Sequence, residues 1–222
     1  MNPRHIAFLM DGNRRWATAQ GKIPVLGHKQ GVEALKKAVR ACIQRSIPYI
    51  TFWALSTENL KERSEKELNY LFKLIESAEN YTKEFQKEER FVSIGDISGL
   101  PKSCRAVLGR LEEKTKKNTK ITVCVAFNYG GRDELVRAVR TMMKKKLPSS
   151  EKNIIACLDT AGIPDPDLVI RTGGRTRLSG FMPWQTVYSE LYFTKTLWPD
   201  FNEKELDKAI GFFNQTQRNF GK

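Results

Sequence analysis

The sequence predicts an α/β fold, a single domain in which a central, mostly parallel six-stranded sheet is flanked by helices. Six short apolar runs have the length of strands, and several are apolar without interruption, as in strands buried on both faces. Helical patterns lie between most of them, and this alternation is typical of a parallel sheet. With 222 residues and no internal repeat, the chain is expected to form one domain over residues 1–222.

The elements are predicted in the following order. The strands are His5–Asp11, Tyr49–Leu55, Arg90–Asp96, Lys120–Asn128, Asp167–Thr172 and Glu190–Thr194. Helices are predicted near residues 28–45, 64–87, 101–117, 132–147 and 203–218, the second opening with the capping-box pattern Ser64-Glu65-Lys66-Glu67. Ligands bind beyond the carboxyl ends of the strands in such sheets, so the residues that follow each strand carry the functional prediction.

Composition narrows the class of protein. A net charge of +13 suits nucleic acid, an anionic membrane surface or small polyanionic substrates. Lysine clusters such as Lys144–Lys146 lie at predicted helix ends and are interpreted mainly as solvated cations that favour the helix dipole. Four scattered cysteines form no CxxC pair, which argues for a reducing cytosol and against a zinc site. We expect no signal peptide and no membrane-spanning segment.

The first strand runs into an acid, a glycine and two arginines: Asp11, Gly12, Asn13, Arg14 and Arg15. A carboxylate at a strand end can hold Mg²⁺, and glycine lets the backbone approach a ligand. Free N–H groups at a following helix start can meet phosphate oxygens. An ordinary turn with Asp11 as a cap explains these residues, taken alone, equally well.

The fifth strand ends in a glycine-rich loop with three arginines and a serine, RTGGRTRLSG, which contains Arg171, Arg175, Arg177 and Ser179. Arginine presents a planar fork of donors that matches phosphate geometry. We therefore favour a phosphate site here over a solvated basic loop.

Two further strand ends are less specific. Ser56 and Asn59 follow the second strand and can contact a polar ligand, or simply form a turn and helix cap. The charged stretch after them, which includes Arg63, has the composition of a mobile lid. Gly130 and Gly131 follow the fourth strand, where turn geometry alone is a sufficient explanation. We nevertheless expect all four strand ends to converge on one diphosphate-sized, magnesium-compatible site.

Other catalytic patterns are missing from the sequence. There is no GxxxxGK[ST] loop, no GxGxxG fingerprint and no Asp-Asp pair. His5 and His28 are the only histidines, so no Ser/His or Cys/His constellation is available. His5 is interpreted as structural, whereas His28 suits either a helix cap or a phosphate contact.

Five segments resemble the sequence blocks of the cis-prenyltransferase family, above all the bacterial undecaprenyl diphosphate synthases. They are HIAFLMDGNRRWA, GHKQG, LSTEN, FNYGGRDEL and the stretch from DLVIRTGG to WPDF, and they run in order from His5 to Phe201. The paired DDxxD motifs of trans-prenyltransferases are absent. The resemblance implies a transferase that condenses isopentenyl diphosphate onto an allylic diphosphate in cis geometry.

The resemblance also implies roles for residues near the first strand. Asp11 matches the aspartate that places Mg²⁺ on a substrate diphosphate. Gly12, Asn13 and Arg15 match the loop that grips the allylic diphosphate, with Asn13 also implicated in proton handling. Trp16 matches a residue near the allylic substrate.

Further roles follow from the other blocks. His28 matches a second diphosphate contact, and Ser56 and Asn59 match polar residues that assist catalysis. Glu190 matches an acid that contributes to the magnesium site or to the subunit interface. The residues that match the isopentenyl diphosphate site are Arg171, Arg177 and Ser179.

The chain departs from the family pattern at several positions. Arg14 stands where many members have glycine, and Pro24 where many have an arginine that grips the allylic diphosphate. We count Arg14 as a candidate replacement, and Arg63 as a further substrate-binding residue. Leu60 replaces a common tryptophan, and Arg175-Thr176 replaces a common Glu-His.

By the same resemblance, the cofactor is Mg²⁺, the starter is farnesyl diphosphate and the product is undecaprenyl diphosphate, the precursor of the lipid carrier for cell-wall polysaccharide synthesis. The growing chain needs an apolar tunnel, for which the second and fourth strands and the 64–87 helix can supply walls. A homodimer is expected, with the apolar segment Phe181–Phe193 at the interface. A cytoplasmic location is expected, and a peripheral membrane contact for product release stays open. The alternatives are a non-catalytic partner subunit of the family and a nucleic-acid-binding module, although no nucleic acid is expected.

Overall fold

In the computed structural model, which describes residues 2–82 and 88–216, six strands form one sheet. They are β1 (His5–Leu9), β2 (Tyr49–Ser56), β3 (Glu89–Ile94), β4 (Ile121–Tyr129), β5 (Leu168–Arg171) and β6 (Glu190–Phe193). Their order is β3-β4-β2-β1-β5-β6, and every pairing between neighbours is parallel. The predicted α/β class and all six predicted strands are confirmed.

Nine α-helices connect the strands in the described part of the chain. They are α1 (Asn13–Ala19), α2 (Pro24–Gln44), α3 (Thr57–Glu62), α4 (Glu65–Glu76), α5 (Ala78–Thr82), α6 (Lys102–Thr115), α7 (Gly131–Lys144), α8 (Glu151–Ile155) and α9 (Glu203–Gln215). The short helices α1, α3 and α8 carry too few residues for a clear periodic pattern. Within these ranges, no helix is both long enough and apolar enough to cross a bilayer.

The helix predicted near residues 64–87 is two helices in the structure. It breaks at Ser77, whose hydroxyl donates to the Lys73 carbonyl at 2.7 Å and so competes with the helical hydrogen-bond ladder. The capping serine is confirmed, because Ser64 Oγ accepts from the Glu67 N–H. The end of that predicted helix, residues 83–87, lies outside the described residues, as do 217 and 218 of the last predicted helix.

Two apolar layers cover the faces of the sheet. On one face, Phe8 stacks on Phe52 with ring centroids 4.9 Å apart, and Trp198 and Phe201 pack against them. Helices α2, α4, α6 and α9 contribute to this larger cluster. The cluster on the other face contains Phe181 and Met182, both fully buried. The segment Phe181–Phe193, which we predicted to lie at a subunit interface, therefore begins with two residues of the protein core.

The order of the strands determines where a ligand-binding site can lie in this sheet. From β1 the chain passes to β2 on one side, whereas β5 pairs with the other side of β1. The carboxyl ends of β1 and β5 therefore lie side by side at the point where the strand order reverses, which is where ligands bind in open parallel sheets. The register aligns Leu9 with Arg171, so Asp11 and the glycine-rich loop meet at this edge.

Candidate active site

Asp11 lies at the centre of the site. Its carboxylate Oδ1 accepts from Arg15 Nη2 at 3.0 Å, and Oδ2 accepts from Arg171 Nη2 at 3.1 Å. About a third of the Asp11 side chain remains exposed, so it is accessible to a ligand. The structure thus brings together three residues that the sequence predicted from separate strand ends.

The turn after β1 is held by a residue that sequence reasoning missed. Thr172 is fully buried, and its Oγ accepts from the Asp11 N–H at 3.0 Å and donates to the Asp11 carbonyl at 2.8 Å. Gly12 has φ 118°, and a Cβ there would lie 2.8 Å from Leu197 Cδ2, so only glycine fits. The signal for Thr172 was its place directly after a buried strand.

Asn13 begins α1 and sits under α2. A Cβ on Gly31 would lie 2.5 Å from Asn13 Oδ1, and one on Gly27 would lie 1.9 Å from the Asn13 carbonyl oxygen. The two glycines of α2 therefore allow the close approach of α1. Asn13 Oδ1 is buried and has no hydrogen-bond partner.

The second strand end contributes a cap and a small cluster of charges. Ser56 caps α3 by accepting from the Asn59 N–H at 3.0 Å, as the turn-and-cap interpretation predicted. Glu67, which sequence reasoning treated only as part of a helix start, lies 3.1 Å from His28 Nε2 and 3.4 Å from Arg63 Nη1. Glu67 fixes both residues at the edge of the pocket.

The protonation of this cluster is set by burial and by neighbouring charge. Burial lowers the pKa of His28, the charge of Arg63 lowers it further, and the hydrogen bond to Glu67 opposes these effects. His28 therefore favours its neutral form. Burial also lowers the pKa of Arg63, whose cationic form is opposed by Arg14 and favoured by Glu67. Arg14, the departure from the family glycine, thus lies close enough to influence both residues.

Arg171 organises the glycine-rich loop. Its Nη1 donates to Ser179 Oγ at 2.9 Å and to the Arg177 carbonyl oxygen, while Nη2 reaches Asp11. Ser179 adopts φ 52° and lines the pocket. Arg177 is exposed, and its side chain is not among those that line the pocket. The hydrogen bond that the Arg177 backbone carbonyl accepts from Arg171 could not be predicted from residue type.

The end of β4 does not join this site, which corrects the expected convergence of four strand ends. Gly131 donates its N–H to the Gly180 carbonyl, and a Cβ there would lie 1.9 Å from Pro183 Cδ. The Tyr129 hydroxyl donates to Glu134, which is buried and whose pKa burial raises. The physical reason is the strand order, because β2 separates β4 from β1. The paired glycines serve turn geometry.

Two predicted site residues lie elsewhere. Trp16 points away from the pocket lining, with its indole N–H donating to Asp200 at 2.7 Å. Glu190 starts β6, level with Leu168 and Ile6 in the register, at the sheet edge opposite Asp11. At about 3.3 Å per residue, the five residues from Ile6 to Asp11 span roughly 16 Å. A magnesium site shared by Asp11 and Glu190 of one chain is therefore wrong, and the interface alternative for Glu190 stays a prediction.

Two adjoining cavities open at this edge of the sheet. The first, about 1300 Å³, is the more polar of the two and is lined by the strand-end residues, by Pro24 and by Arg63. The second, about 780 Å³, is mainly apolar and runs between the sheet and helices α2, α4 and α6. Residues that line both are Met10, Asn13, His28 and Ala54. The walls of the apolar cavity include residues of β2, β4 and α4, as predicted for the tunnel.

The polar pocket contains unsatisfied buried groups. Among the described residues, four buried side-chain atoms lack a hydrogen-bond partner, and three of them belong to Asn13, Arg63 and Arg171. An unpaired buried donor or acceptor costs about 1–3 kcal/mol. The Arg63 atom is Nη1, which has only the 3.4 Å ion-pair contact with Glu67, whereas the Arg171 atom is Nε; both arginines suit a phosphorylated ligand.

The acidic and other ligand-forming side chains of the site determine how a metal ion could bind. In the described ranges, no cluster of three or more His, Cys, Asp or Glu side chains could enclose an ion. Magnesium commonly binds one or two carboxylates and completes its shell with water and substrate phosphates. The accessible Asp11 carboxylate fits a Mg²⁺ ion that arrives with a diphosphate.

A cationic pocket that adjoins an apolar cavity is typical of a class of protein that binds a molecule with a phosphorylated head and a hydrocarbon tail. Comparison with known proteins agrees. The family model "Putative undecaprenyl diphosphate synthase" matches residues 9–221. An isoprenyl transferase of Fusobacterium nucleatum is 43% identical over 221 residues, covering 99% of this chain and 96% of that protein. One of Brucella abortus is 44% identical over 229 residues, covering 99% and 90%.

Solved structures give the same result. A probable undecaprenyl diphosphate synthase from Campylobacter jejuni matches with a TM-score of 0.85 and 35% identity over the whole of both chains. Lavandulyl diphosphate synthase from Lavandula x intermedia, in complex with dimethylallyl diphosphate, matches with a TM-score of 0.94 and 33% identity over 100% of this chain and 99% of that one. The chain belongs to the undecaprenyl diphosphate synthase family and is a cis-prenyltransferase, an enzyme whose family uses a divalent metal.

Proposed function

We propose that this enzyme adds isopentenyl diphosphate units in cis geometry to farnesyl diphosphate, giving undecaprenyl diphosphate, a lipid-carrier precursor for cell-wall polysaccharide synthesis. The observation that carries the proposal is that the polar pocket shares lining residues with an apolar cavity of about 780 Å³. An allylic diphosphate fits this arrangement with its head at the strand ends and its tail between the sheet and α4.

In the proposed reaction the allylic C–O bond breaks, leaving positive charge on carbon and negative charge on diphosphate. The cationic surroundings of the leaving group are supplied by Arg14, Arg15 and Arg63. Their charges are already in place in the folded pocket, so the protein need not rearrange as the bond breaks. Arg171, Arg177 and Ser179 hold the second diphosphate, so that the isopentenyl double bond lies against the allylic carbon.

Magnesium is assigned to Asp11, where it would neutralise charge on the substrate diphosphate as the bond breaks. The new carbon–carbon bond leaves a carbocation that must lose a proton. Diphosphate is the acceptor that we assign, and Asn13, which lines both cavities, assists by orienting the substrate. Ser56 and Asn59 line the same pocket and assist in that orientation.

The direct test is incubation with farnesyl diphosphate, labelled isopentenyl diphosphate and Mg²⁺, followed by sizing of the products. We expect a main product near eleven isoprene units. A main product of three or four units would refute the undecaprenyl assignment and leave the cis-prenyltransferase class intact.

We further propose a homodimer. Val187 and Tyr188 are 67% and 74% exposed, and Met143, Val136 and Val139 on the outer side of α7 are exposed as well. These two surfaces are joined, because α7 begins against the loop that precedes Val187 through the Gly131–Gly180 and Gln185–Glu134 hydrogen bonds. An exposed apolar surface of this kind fits a second copy related by a two-fold axis. We place the interface there, with Arg177 and Glu190 near its border.

A cytoplasmic location with a peripheral membrane contact completes the proposal. Four free cysteines, three of them buried, suit a reducing compartment. Ile23 is 62% exposed and Leu26 38% exposed, next to Lys22 and to Pro24 at the pocket rim. This combination suits an anionic bilayer surface that receives the product. Flotation with phosphatidylglycerol vesicles should recover the wild type, and Ile23→Ser should reduce the recovered fraction; equal recovery would rule out this contact.

A further inference from the structure

The chain that follows β6, residues 194–200, contacts both loops of the candidate active site, and we call it the support segment. Its Thr194 carbonyl accepts from the Gly174 N–H at 2.8 Å, and its Thr196 carbonyl accepts from the Gly173 N–H, also at 2.8 Å. Both glycines belong to the loop that follows β5. The first half of the support segment therefore holds the backbone of the glycine-rich loop directly.

The second half of the support segment contacts the turn that follows β1. The Trp198 N–H donates to the Asp11 carbonyl at 3.0 Å. Leu197 packs so closely on Gly12 that a Cβ on this glycine would lie 2.8 Å from Leu197 Cδ2. One short segment thus supports the two loops to which the two diphosphates are assigned.

The second half of the support segment is fixed by the protein core. Trp198 is fully buried, and its ring stacks on Phe201 with centroids 5.3 Å apart. The indole N–H of Trp198 donates to the Gly31 carbonyl of α2 at 2.8 Å. The contact with Asp11 therefore does not depend on polar side chains of the support segment.

The first half is fixed by one carboxylate instead. The hydroxyls of Thr194 and Thr196 donate to Glu205 Oε2 at 3.0 and 3.1 Å. Glu205 is buried near the start of α9, and Lys208 donates to its other oxygen. The hydrogen bond from Lys208 lowers the pKa of Glu205, although burial opposes this shift. The carboxylate is therefore ionised at neutral pH and free to accept both hydroxyls.

Helix capping does not account for this arrangement. A glutamate three residues after an N-cap residue commonly returns its side chain to the backbone N–H of the cap. Asn202 caps α9 and accepts from the Glu205 N–H at 3.3 Å. Both side-chain oxygens of Glu205, however, are bound by Lys208 and by the two threonines. The carboxylate thus contacts the support segment as well as its own helix.

We propose that Glu205 is a positioning residue for the isopentenyl diphosphate site. The inference rests on the proposed function, because that function assigns this diphosphate to the loop with Arg171 and Arg177. Glu205 holds the threonine hydroxyls, the threonine carbonyls hold the loop amides, and the loop presents its arginines and serine. Loss of the carboxylate should release this half of the support segment and leave the Trp198 half in place.

The test is a comparison of the two Michaelis constants. Glu205→Met removes both acceptor oxygens at similar side-chain length. The KM for isopentenyl diphosphate should rise roughly tenfold, because a misplacement of about 1 Å can cost on the order of 100-fold in catalysis. The KM for farnesyl diphosphate should stay close to that of the wild type. Partial unfolding would lower kcat without changing either KM, so the comparison separates positioning from a loss of stability.

Two variants control for charge on α9. Glu205→Gln removes the charge but keeps an acceptor oxygen, and it should restore most of the affinity for isopentenyl diphosphate. Lys208→Met removes the other partner of the same carboxylate, on a side chain that is 65% exposed, and should match the wild type. If either variant were as impaired as Glu205→Met, the effect would come from charge on α9 and the proposal would be overturned.

A change on the other side of the contact keeps the test decisive if Glu205→Met fails to fold. Thr196→Val removes one hydroxyl that donates to Glu205 at nearly constant volume, and it should also raise the KM for isopentenyl diphosphate. Thr196→Ser keeps the hydroxyl and should not. An unchanged KM for isopentenyl diphosphate in a folded Glu205→Met or Thr196→Val variant, or an equal rise in both KM values, would overturn the proposal. A wild type that incorporates no isopentenyl diphosphate would instead refute the proposed function.

Discussion

The Arg171 guanidinium lies 3.1 Å from the Asp11 carboxylate, although 160 residues separate the two in sequence. Arg171 is almost fully buried, and its other nitrogens face the Arg177–Ser179 loop or lack a partner. One guanidinium therefore links the residue assigned to the allylic diphosphate with the loop assigned to isopentenyl diphosphate. The two proposed diphosphate sites are therefore adjacent, as condensation requires.

Asp11→Ala should lower turnover roughly 100- to 1000-fold, the usual cost of losing one group that stabilises transition-state charge. The reason is that the substrate-borne cation loses its protein ligand, while Arg15 and Arg171 lose their partner. Initial rates with labelled isopentenyl diphosphate measure the effect. Asp207→Ala, which removes an exposed carboxylate paired with Arg45, is the control and should retain activity.

Metal removal is the companion to this variant. The wild type in EDTA should fall to a rate similar to that of Asp11→Ala, and Mg²⁺ should restore only the wild type. Near-normal turnover of the variant in EDTA would contradict the assigned role of Asp11.

The two arginine sets should separate in steady-state kinetics. Arg15→Ala should chiefly raise the KM for farnesyl diphosphate, because Arg15 lines the pocket beside Asp11. Arg177→Ala should chiefly raise the KM for isopentenyl diphosphate, because its exposed guanidinium belongs to the loop that Arg171 holds and is proposed to reach that diphosphate when it binds. Changes of about tenfold are expected for the loss of one charged hydrogen bond.

Lys152→Ala on α8, another exposed cation, controls for the general loss of positive charge. If Arg15→Ala and Arg177→Ala changed both KM values to the same extent, the division into two diphosphate sites would be incorrect.

Sedimentation at micromolar concentration should give twice the chain mass of 25.5 kDa. Met143→Glu, which places a charge on the exposed face of α7, should shift the protein toward the monomer, because a charge is poorly tolerated at an apolar interface. Ile23→Glu alters an equally accessible apolar residue elsewhere and should stay dimeric. A fully active wild-type monomer would rule out the dimer and weaken the interface role of Glu190.

Stability should fall with pH below neutrality through His5. Its Nδ1 donates to the Pro164 carbonyl at 2.6 Å and Nε2 lies 2.8 Å from Thr51 Oγ. Burial lowers the pKa of His5 to about 4 from an ordinary value of 6.5. Between these values the unfolded chain binds a proton that the folded chain does not, so the free energy of unfolding decreases as pH falls from 6.5 to 4.

The linked loss is about 3 kcal/mol, since one pKa unit corresponds to about 1.4 kcal/mol. Urea unfolding of the wild type and of His5→Gln at pH 7 and pH 4 measures it. The wild type should lose about 3 kcal/mol more than the variant over this range. Equal losses would mean that His5 is not the titrating group.

The strand ends show most clearly which structural features could be predicted from the sequence alone. Apolar runs predicted all six strands, and several of these runs are continuous because strands buried on both faces leave no position for polar side chains. Asp11 and Arg171 were identified because charged residues directly after such strands must lie at the sheet edge. Local chemistry also predicted the Ser64 cap, which depends only on residues three positions apart.

What the sequence could not determine depends on which strands become neighbours. The sheet order makes β5 a neighbour of β1 and separates β4 from β1 by β2. Arg171 therefore reaches Asp11, whereas Gly130 and Gly131 do not join the site. The parallel register places Glu190 at the amino end of β6, whereas Asp11 follows the carboxyl end of β1. Glu67 and Thr172 acquired roles only through partners far away in the chain. Local pattern fixes which residues end a strand, but the meeting of those ends is decided by long-range packing.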